Sequence, residues 1–525
     1  MGLGQIVAQS QGHFNPPGVA PAREYSLSKH FVHPFRKVQP KPIPVDDTMS
    51  PTTRAVIEAD HPPVLTLDTI NRHVRDAQYA VRGELAIRAE KYRERLAAGE
   101  KLPFDEITLC NIGNPQQLGQ KPITFFRQVS ALVDCPSLLA VADSQGPDGE
   151  ALRLLFPADV IARAQKLAKA VGSTGSYSHS QGVPCVRQNV ARFISERDGG
   201  VPANPDDIFL TSGASDGVRM LLNCIISGPE VGVLIPIPQY PLYSAALTLM
   251  HGRPVPYGLN ETAGWSMSVA DLTASVRAAR ENGTDVRALV VINPGNPTGQ
   301  CLSEENIREI IEFARNERLI IMADEVYQTN VYYPEDRPFH SFKKVLRSMG
   351  PSFDNVELVS FHSTSKGVLG ECGRRGGYFE LCGFSPAVRD QLYKLASISL
   401  CPSVHGQIMV DLMVNPPKEG DTSFPLYQEE TSAIFNSLKQ RAEQLTSVFV
   451  ELEGVTCERA DGAMYTFPRI RLPAKAIAAA EEAGQAPDLF YCLALLDSTG
   501  IERFARFTGL LRDFHQKFME QYRDE

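Results

Sequence analysis

From about Asp207 the chain alternates short, unbroken apolar runs with longer segments in which apolar residues return every three or four positions. The runs cover 208–211, 232–235, 288–292, 319–323 and 356–360; they are too short for helices, and their continuity predicts strands buried on both faces. Between them, the periodic segments predict helices over 218–226, 240–250 and 304–316. This alternation is that of an α/β domain built on a mostly parallel sheet. Ligands of such sheets sit beyond the carboxyl ends of the strands, so the polar motifs that follow each run can converge on one crevice.

The flanks have a different rhythm. Ile70, Val74, Tyr79, Val81, Leu85, Ile87, Tyr92 and Leu96 predict a helix within 66–102, and the Gly- and Pro-rich stretch 111–115 predicts a tight loop. A helix over 157–172 precedes a polar loop over 173–184. After 415–421 come a long helix, 429–452, and strands near 455–457 and 464–470. Ile501, Phe504, Phe507, Leu510, Leu511, Phe514 and Phe518 keep helical spacing beyond them. The expected organisation is an N-terminal arm over 1–60 and a segment over 61–150 shared between a small domain and a dimer contact. A large domain over 151–410 and a C-terminal small domain over 411–525 follow.

Composition narrows the function classes. A chain of 525 residues with 43% hydrophobic and 22% charged residues is an ordinary globular protein large enough for two lobes. A net charge of −9 without a basic run argues against a nucleic-acid or anionic-membrane partner and favours small-molecule chemistry. The ten cysteines form no Cys-x-x-Cys pair, which suits free thiols better than a disulfide framework or a metal site. No apolar stretch approaches membrane-spanning length. The first 45 residues hold one acidic residue, Glu24, against five basic ones, a balance like that of an organellar transit peptide. Seven prolines there would break the amphipathic helix such a signal needs, and an arm draped on a partner is the other reading. Cytoplasm and mitochondrion both stay open.

The candidate chemistry centres on His362-Ser363-Thr364-Ser365-Lys366-Gly367 and the following Gly370 to Tyr378. An amine, two hydroxyls and arginines can hold a phosphorylated aldehyde, although the same letters also suit a solvated loop. Gly213-Ala214-Ser215 opens a helix after a strand, where backbone N–H groups can bind a phosphate; a plain turn would look alike. Asp324 ends a buried strand and calls for a cationic partner, for which a protonated pyridine nitrogen would serve. Tyr327, and Asn296 in Asn293 to Gly299, can hydrogen-bond a ring hydroxyl, and Tyr240 can stack on a ring or fill a core.

Taken in order, Gly-Ala-Ser, Pro-x-Tyr-Pro, Asn-Pro-Gly-Asn-Pro-Thr-Gly, Asp-Glu-Val-Tyr, Ser-x-Ser-Lys and Arg-Gly-Gly-Tyr resemble the fold-type-I pyridoxal-phosphate aminotransferases. Residues 111–116, 124–128, 370–373 and 400–404 are similar to those of the alanine aminotransferase family. The resemblance implies an α/β fold with a large domain around a seven-stranded-type, mostly parallel sheet, plus a smaller α+β domain. It implies pyridoxal 5'-phosphate joined to Lys366 as a Schiff base. Ala214, Ser215, Ser363, Ser365 and one arginine would hold the phosphate. Alignment on Arg-x-Gly-Tyr selects Arg375, whereas counting from the lysine selects Arg374, and the strand start makes Arg375 the better choice. Asp324 would face the pyridinium, Tyr327 and Asn296 the ring hydroxyl, and Tyr240 the ring face. Gly113 and Asn296 would lie on the substrate side. Tyr177 would reach the phosphate of a neighbouring subunit, which implies a homodimer with shared sites. The implied reaction converts L-alanine and 2-oxoglutarate to pyruvate and L-glutamate; a glyoxylate-using relative is the alternative.

One part of the pattern is missing. The family carries a substrate-carboxylate arginine on a loop and strand after a Thr-Gly-Ile segment, but here Ser498-Thr499-Gly500-Ile501 runs directly into Glu502-Arg503-Phe504-Ala505-Arg506. Arg503, Arg506 and Arg471 are weak substitutes. A skipped exon or a faulty gene model would produce this junction, and the resulting chain would bind the cofactor with impaired turnover.

Overall fold

The computed structural model describes residues 64–79, 83–107, 113–142, 144–500 and 504–523, without the side chains of 504–507. Leu67–Glu525 form one compact unit, and of the other, Met1–Thr66, only 64–66 are described. The N-terminal arm, Asn111, Ile112 and Arg503 therefore lie outside the described residues.

Five predicted strands are present, and three more join them. In chain order they are β1 Ile208–Thr211, β2 Val231–Ile237, β3 Arg253–Asn260, β4 Ser266–Met267, β5 Asp285–Ile292, β6 Ile320–Asp324, β7 Leu358–Ser363 and β8 Gly377–Cys382. They form one sheet in the order β1-β8-β7-β6-β5-β2-β3-β4. Strands β3, β2, β5, β6 and β7 are parallel, while β8 runs antiparallel to both β7 and β1, so β1 keeps the common direction. Register aligns the strand ends: Ile292 pairs with Asp324, Asp324 with Phe361, and Gly377 with both Ser363 and Thr211. The residues that leave β5, β6, β7 and β1 thus emerge side by side.

Both faces of the sheet are covered, as continuous apolar strands require. Helices Val269–Glu281, Glu304–Glu317 and Phe342–Ser348 close one core. Ala214–Ile225, Leu242–Leu249 and Pro386–Ile398 close the other. A third core joins Thr124–Asp134, Ala158–Val171, Pro184–Arg197 and Val404–Val414 beside β1. No single helix among the described residues is long and apolar enough to cross a membrane. The nine described cysteines are free thiols.

Several sequence expectations need correction. The helix expected within 66–102 is two helices, Arg72–Asp76 and Glu84–Ala97, the second starting from an extended Gly83. β3 was hidden by Pro254 and Pro256, which argue against a strand, yet the side chains alternate and β2 pairs along its length. The strand expected over 464–470 shrinks to β10, Arg469–Ile470, paired with β9, Val455–Thr456. The residue just before the expected strand is held elsewhere: Ala463 N–H donates to Asn330 O, and Tyr332 Oη donates to Ala463 O at 2.6 Å. Pro468, which lacks an N–H, then separates it from β10.

The C-terminal elements build their own cores. Helix Phe424–Glu451 packs through Val448 and Phe449 on Val455 and Leu511. Helices Ala474–Glu482, Pro487–Thr499 and Phe504–Gln521 gather Tyr491, Phe514, Phe518 and Met519. Buried His515 ties them, its Nδ1 meeting Tyr491 Oη at 2.9 Å and its Nε2 meeting Glu453 O at 2.8 Å. The first of the three helices after β10 begins four residues on, and no further strand follows β10 among the described residues. Gly500 ends Pro487–Thr499 with φ 62°, where a Cβ would stand 2.4 Å from the Phe104 ring.

Candidate active site

Lys366 leaves the end of β7 and points its amine at the loop over 113–120, with Nζ 3.3 Å from Gly113 O. On one side of it lies a cluster with the chemistry of an anion cradle. Helix Ala214–Ile225 starts there from Gly213, whose φ of 92° favours glycine, and its free N–H groups carry the positive end of the helix dipole. Arg375 crosses the same point: Nη2 donates to Ser212 O at 3.0 Å, and Nη1 to Cys372 O at 3.1 Å and Ser365 Oγ at 3.4 Å. A Cβ on Gly213 would stand 2.3 Å from that guanidinium, so the helix start and the arginine share one spot. Ser363 Oγ accepts from Ser365 N–H at 3.1 Å and so fixes the hydroxyl pair. Ala214, Ser215, Ser363, Ser365 and Arg375 thus come together, while the side chain of Arg374 makes no hydrogen bond in the cluster.

On the other side, the ends of β5 and β6 supply a carboxylate and two further polar groups. Asp324 is buried, and its hydrogen-bond partners among the described residues are neutral: Tyr243 Oη at 2.7 Å and Val326 N–H at 3.4 Å. Burial pushes its carboxyl above the ordinary range, opposed by those hydrogen bonds and by the charge of Lys366. Tyr327 is also buried; its Oη accepts from Asn296 Nδ2 at 3.3 Å and donates to Tyr465 Oη at 3.3 Å. Burial raises the phenol of Tyr240, as does its 2.7 Å hydrogen bond with Tyr79, and the charges of Tyr465 and Asp324 reach it as well.

Gly113 closes the space above Lys366. A Cβ on it would lie 2.5 Å from Tyr465 Oη, 2.8 Å from Met464 Cε and 3.2 Å from Lys366 Nζ, so any side chain there would have to push back the ends of those three. Two residues here escaped the sequence reading. Tyr243 lies in the first turn of the apolar helix Leu242–Leu249, where a tyrosine reads as core. Tyr465 gave no signal, because it read as part of a strand. Tyr177 is not drawn in: its side chain is 76% exposed on the loop over 173–184. On the substrate side, no arginine among the described residues hydrogen-bonds to Lys366, Asn296 or Tyr465. Arg471 is exposed beside β10, its N–H donating to Gly454 O, and the side chain of Arg506 lies outside the described residues.

A primary amine between an anion cradle and a buried carboxylate, at the strand ends of a doubly covered sheet, suits an enzyme that forms a Schiff base. The chain belongs to the aminotransferase class I and II family, whose model matches residues 145–507. Enzymes of this family act on amino and oxo acids and generally depend on pyridoxal phosphate. The chain is 49% identical over 494 residues to a probable mitochondrial alanine aminotransferase of Dictyostelium discoideum, covering 88% of this chain and 91% of that one. It is 52% identical over 439 residues to glutamate–glyoxylate aminotransferase 1 of Arabidopsis thaliana, covering 83% and 88%. In fold it is similar to the crystal structure of an aminotransferase from Escherichia coli, with a TM-score of 0.65 at 21% identity over 88% of this chain and 100% of that one.

Proposed function

We propose that the chain binds pyridoxal 5'-phosphate and transfers the amino group of L-alanine to 2-oxoglutarate, giving pyruvate and L-glutamate. The observation that carries the reading is Asp324, a buried carboxylate whose hydrogen-bond partners are all neutral, set in the same crevice as the Lys366 amine. A protonated pyridine nitrogen would supply the missing positive charge. The rest of the cavity fits the same group. The start of Ala214–Ile225, with Ala214 and Ser215, joins Ser363, Ser365 and Arg375 as phosphate ligands. Tyr327 and Asn296 take the ring oxygen, and Tyr240 covers the ring face.

When bound, the cofactor supplies an electron sink for the substrate's Cα–H bond. Lys366 would take the proton from the substrate Cα as general base and deliver it, as general acid, to the carbon that carried the cofactor's aldehyde. Asp324 keeps the nitrogen charged, and Gly113 and Asn296 orient the substrate beside the amine. Tyr177, exposed on its loop, would reach the phosphate of a second subunit, making a homodimer with shared sites. Large and small domains over 151–410 and 411–525 fit this arrangement.

Borohydride reduction of the protein loaded with pyridoxal phosphate, followed by peptide mapping, should label Lys366, and absence of label would sink the cofactor reading. In a separate, unreduced sample L-alanine should convert the bound pyridoxal form to pyridoxamine phosphate in one turnover, and Lys366→Ala should abolish this. Label without conversion marks a cofactor-binding protein whose substrate half is impaired, as the missing arginine would cause. A second reading, glyoxylate as acceptor, is favoured by the 52% identity to a glutamate–glyoxylate aminotransferase. Rates with glyoxylate and 2-oxoglutarate at equal concentration choose between the two.

A further inference from the structure

Three sequence motifs that bear no direct chemistry meet at one point. Gln116 lies on the loop that carries Gly113, Arg127 on helix Thr124–Asp134, and Glu371 just past the Lys366 loop. Arg127 Nη2 donates to Gln116 Oε1 at 2.9 Å and to Glu371 Oε2 at 3.0 Å. Glu371 is buried, at 2% exposure, and its N–H donates to Thr364 O at 2.9 Å, so it is fixed to the strand end that holds the lysine. Arg127 therefore links an immobile carboxylate to a surface loop. A second tie runs in parallel: Gln120 Nε2 donates to Val368 O at 2.9 Å.

The held loop delivers one group to the site. Gly113 O accepts from Lys366 Nζ at 3.3 Å and from Cys372 Sγ at 3.6 Å, and a Cβ on Gly113 would press on both Tyr465 and the amine. A shift of the loop by an ångström therefore moves the wall against which a substrate must be aimed. The three linked side chains also keep two donors, Gln116 Nε2 and Arg127 Nε, and one acceptor, Glu371 Oε1, buried without a protein partner.

We infer that Arg127 is a positioning residue for the transfer reaction: through Glu371 and Gln116 it fastens the substrate-side loop to the lysine loop and sets the place of the Gly113 carbonyl. The inference rests on the transaminase reading of the Lys366 site. Both acceptors are served by the single nitrogen Nη2, so the clip calls for a charged donor with more than one N–H at that point.

Two variants test it without stranding a buried charge: Gln116→Leu, and Arg127→Met combined with Glu371→Gln. Each should raise KM for the amino acid and the oxo acid about tenfold with kcat within about twofold, since misplacement near an ångström costs up to roughly a hundredfold. In the cofactor-free protein, amide hydrogen exchange at Leu118, Gly119 and Gln120 should quicken, while that of Thr124–Asp134 stays unchanged. Arg127→Lys, which keeps a cationic donor with several N–H groups, should stay closer to the unsubstituted KM than the double variant does. Unchanged exchange and KM in both variants, with Lys366 still labelled by borohydride, would overturn the clip alone; loss of the label in the unsubstituted protein would instead overturn the site reading beneath it. Exchange that quickens throughout Thr124–Asp134 would make the effect one of helix stability and would equally overturn positioning.

Discussion

Arg375 reaches Ser212 O, Cys372 O and Ser365 Oγ through two nitrogens of one rigid fork. Arg375→Lys should therefore weaken affinity for pyridoxal phosphate by roughly ten- to a hundredfold, the size of a lost charge-assisted pair, and leave affinity for unphosphorylated pyridoxal unchanged. Arg374→Lys should change neither, and equilibrium titration of the cofactor-free protein checks both. Gly113→Ala should lower kcat/KM by more than about tenfold, because the new methyl meets Tyr465 Oη at 2.5 Å; steady-state kinetics with alanine decide it. Arg375 was legible because the Gly-Gly-Tyr that follows it starts β8, and Gly377 pairs with both Ser363 and Thr211. Tyr243 and Tyr465 were not. A tyrosine inside an apolar helix and one inside an apolar run both look like core, and only the fold reveals that each hydroxyl faces another buried polar group.

At the scale of elements, the parallel strands were legible because burial on both faces leaves an unbroken apolar run, and their direction then dictated where the motifs meet. β3 and β4 were hidden by prolines and by brevity, and the division into Arg72–Asp76 and Glu84–Ala97 by apolar spacing that runs through both. The C-terminal helices depend on a side chain whose role periodicity does not reveal. His515 satisfies Tyr491 Oη and Glu453 O from inside the aromatic cluster. His515→Leu keeps volume but orphans both groups, which should cost about 1–3 kcal/mol, read from urea unfolding of the cofactor-free protein.

Beneath the sheet, the whole molecule holds a buried charged network. Arg197 pairs with Asp198 at 2.7 Å and lies 3.7 Å from Glu325, and Lys343 pairs with Glu380 at 2.5 Å. His362 stacks on Phe193, and neither of its ring nitrogens makes a well-formed hydrogen bond. Burial, then the charge of Arg197, lowers it to about 3, whereas burial raises Glu325 to about 7. The two oppose each other. Neutral His362 contributes stability that is present above about pH 6.5 and lost as pH falls toward 3, because the unfolded chain takes up the proton first. Protonated Glu325 contributes stability that is present below about pH 4.3 and lost as pH rises through 7. Between pH 5 and 6.5, His362→Phe should therefore lose less Tm on acidification than the unsubstituted protein, and Glu325→Gln should lose more, as scanning calorimetry of the cofactor-free forms would record.

The meeting of Gly113, Lys366 and Tyr465 also has a consequence for how the protein is made. A ribosome that has reached the lysine has finished the sheet strands up to β7, yet the crevice still lacks β8, Arg375 and the tyrosine that bounds Gly113. Domains fold as units while synthesis proceeds from the N-terminus. The nascent chain therefore exposes an open, highly apolar sheet edge until residues near 382 emerge, and it has no complete receptacle for a small molecule until those near 465 do. On the proposed function, cofactor capture is a late event in the life of each chain, and a truncation between Lys366 and Tyr465 leaves a polypeptide with the reactive amine but no finished wall around it.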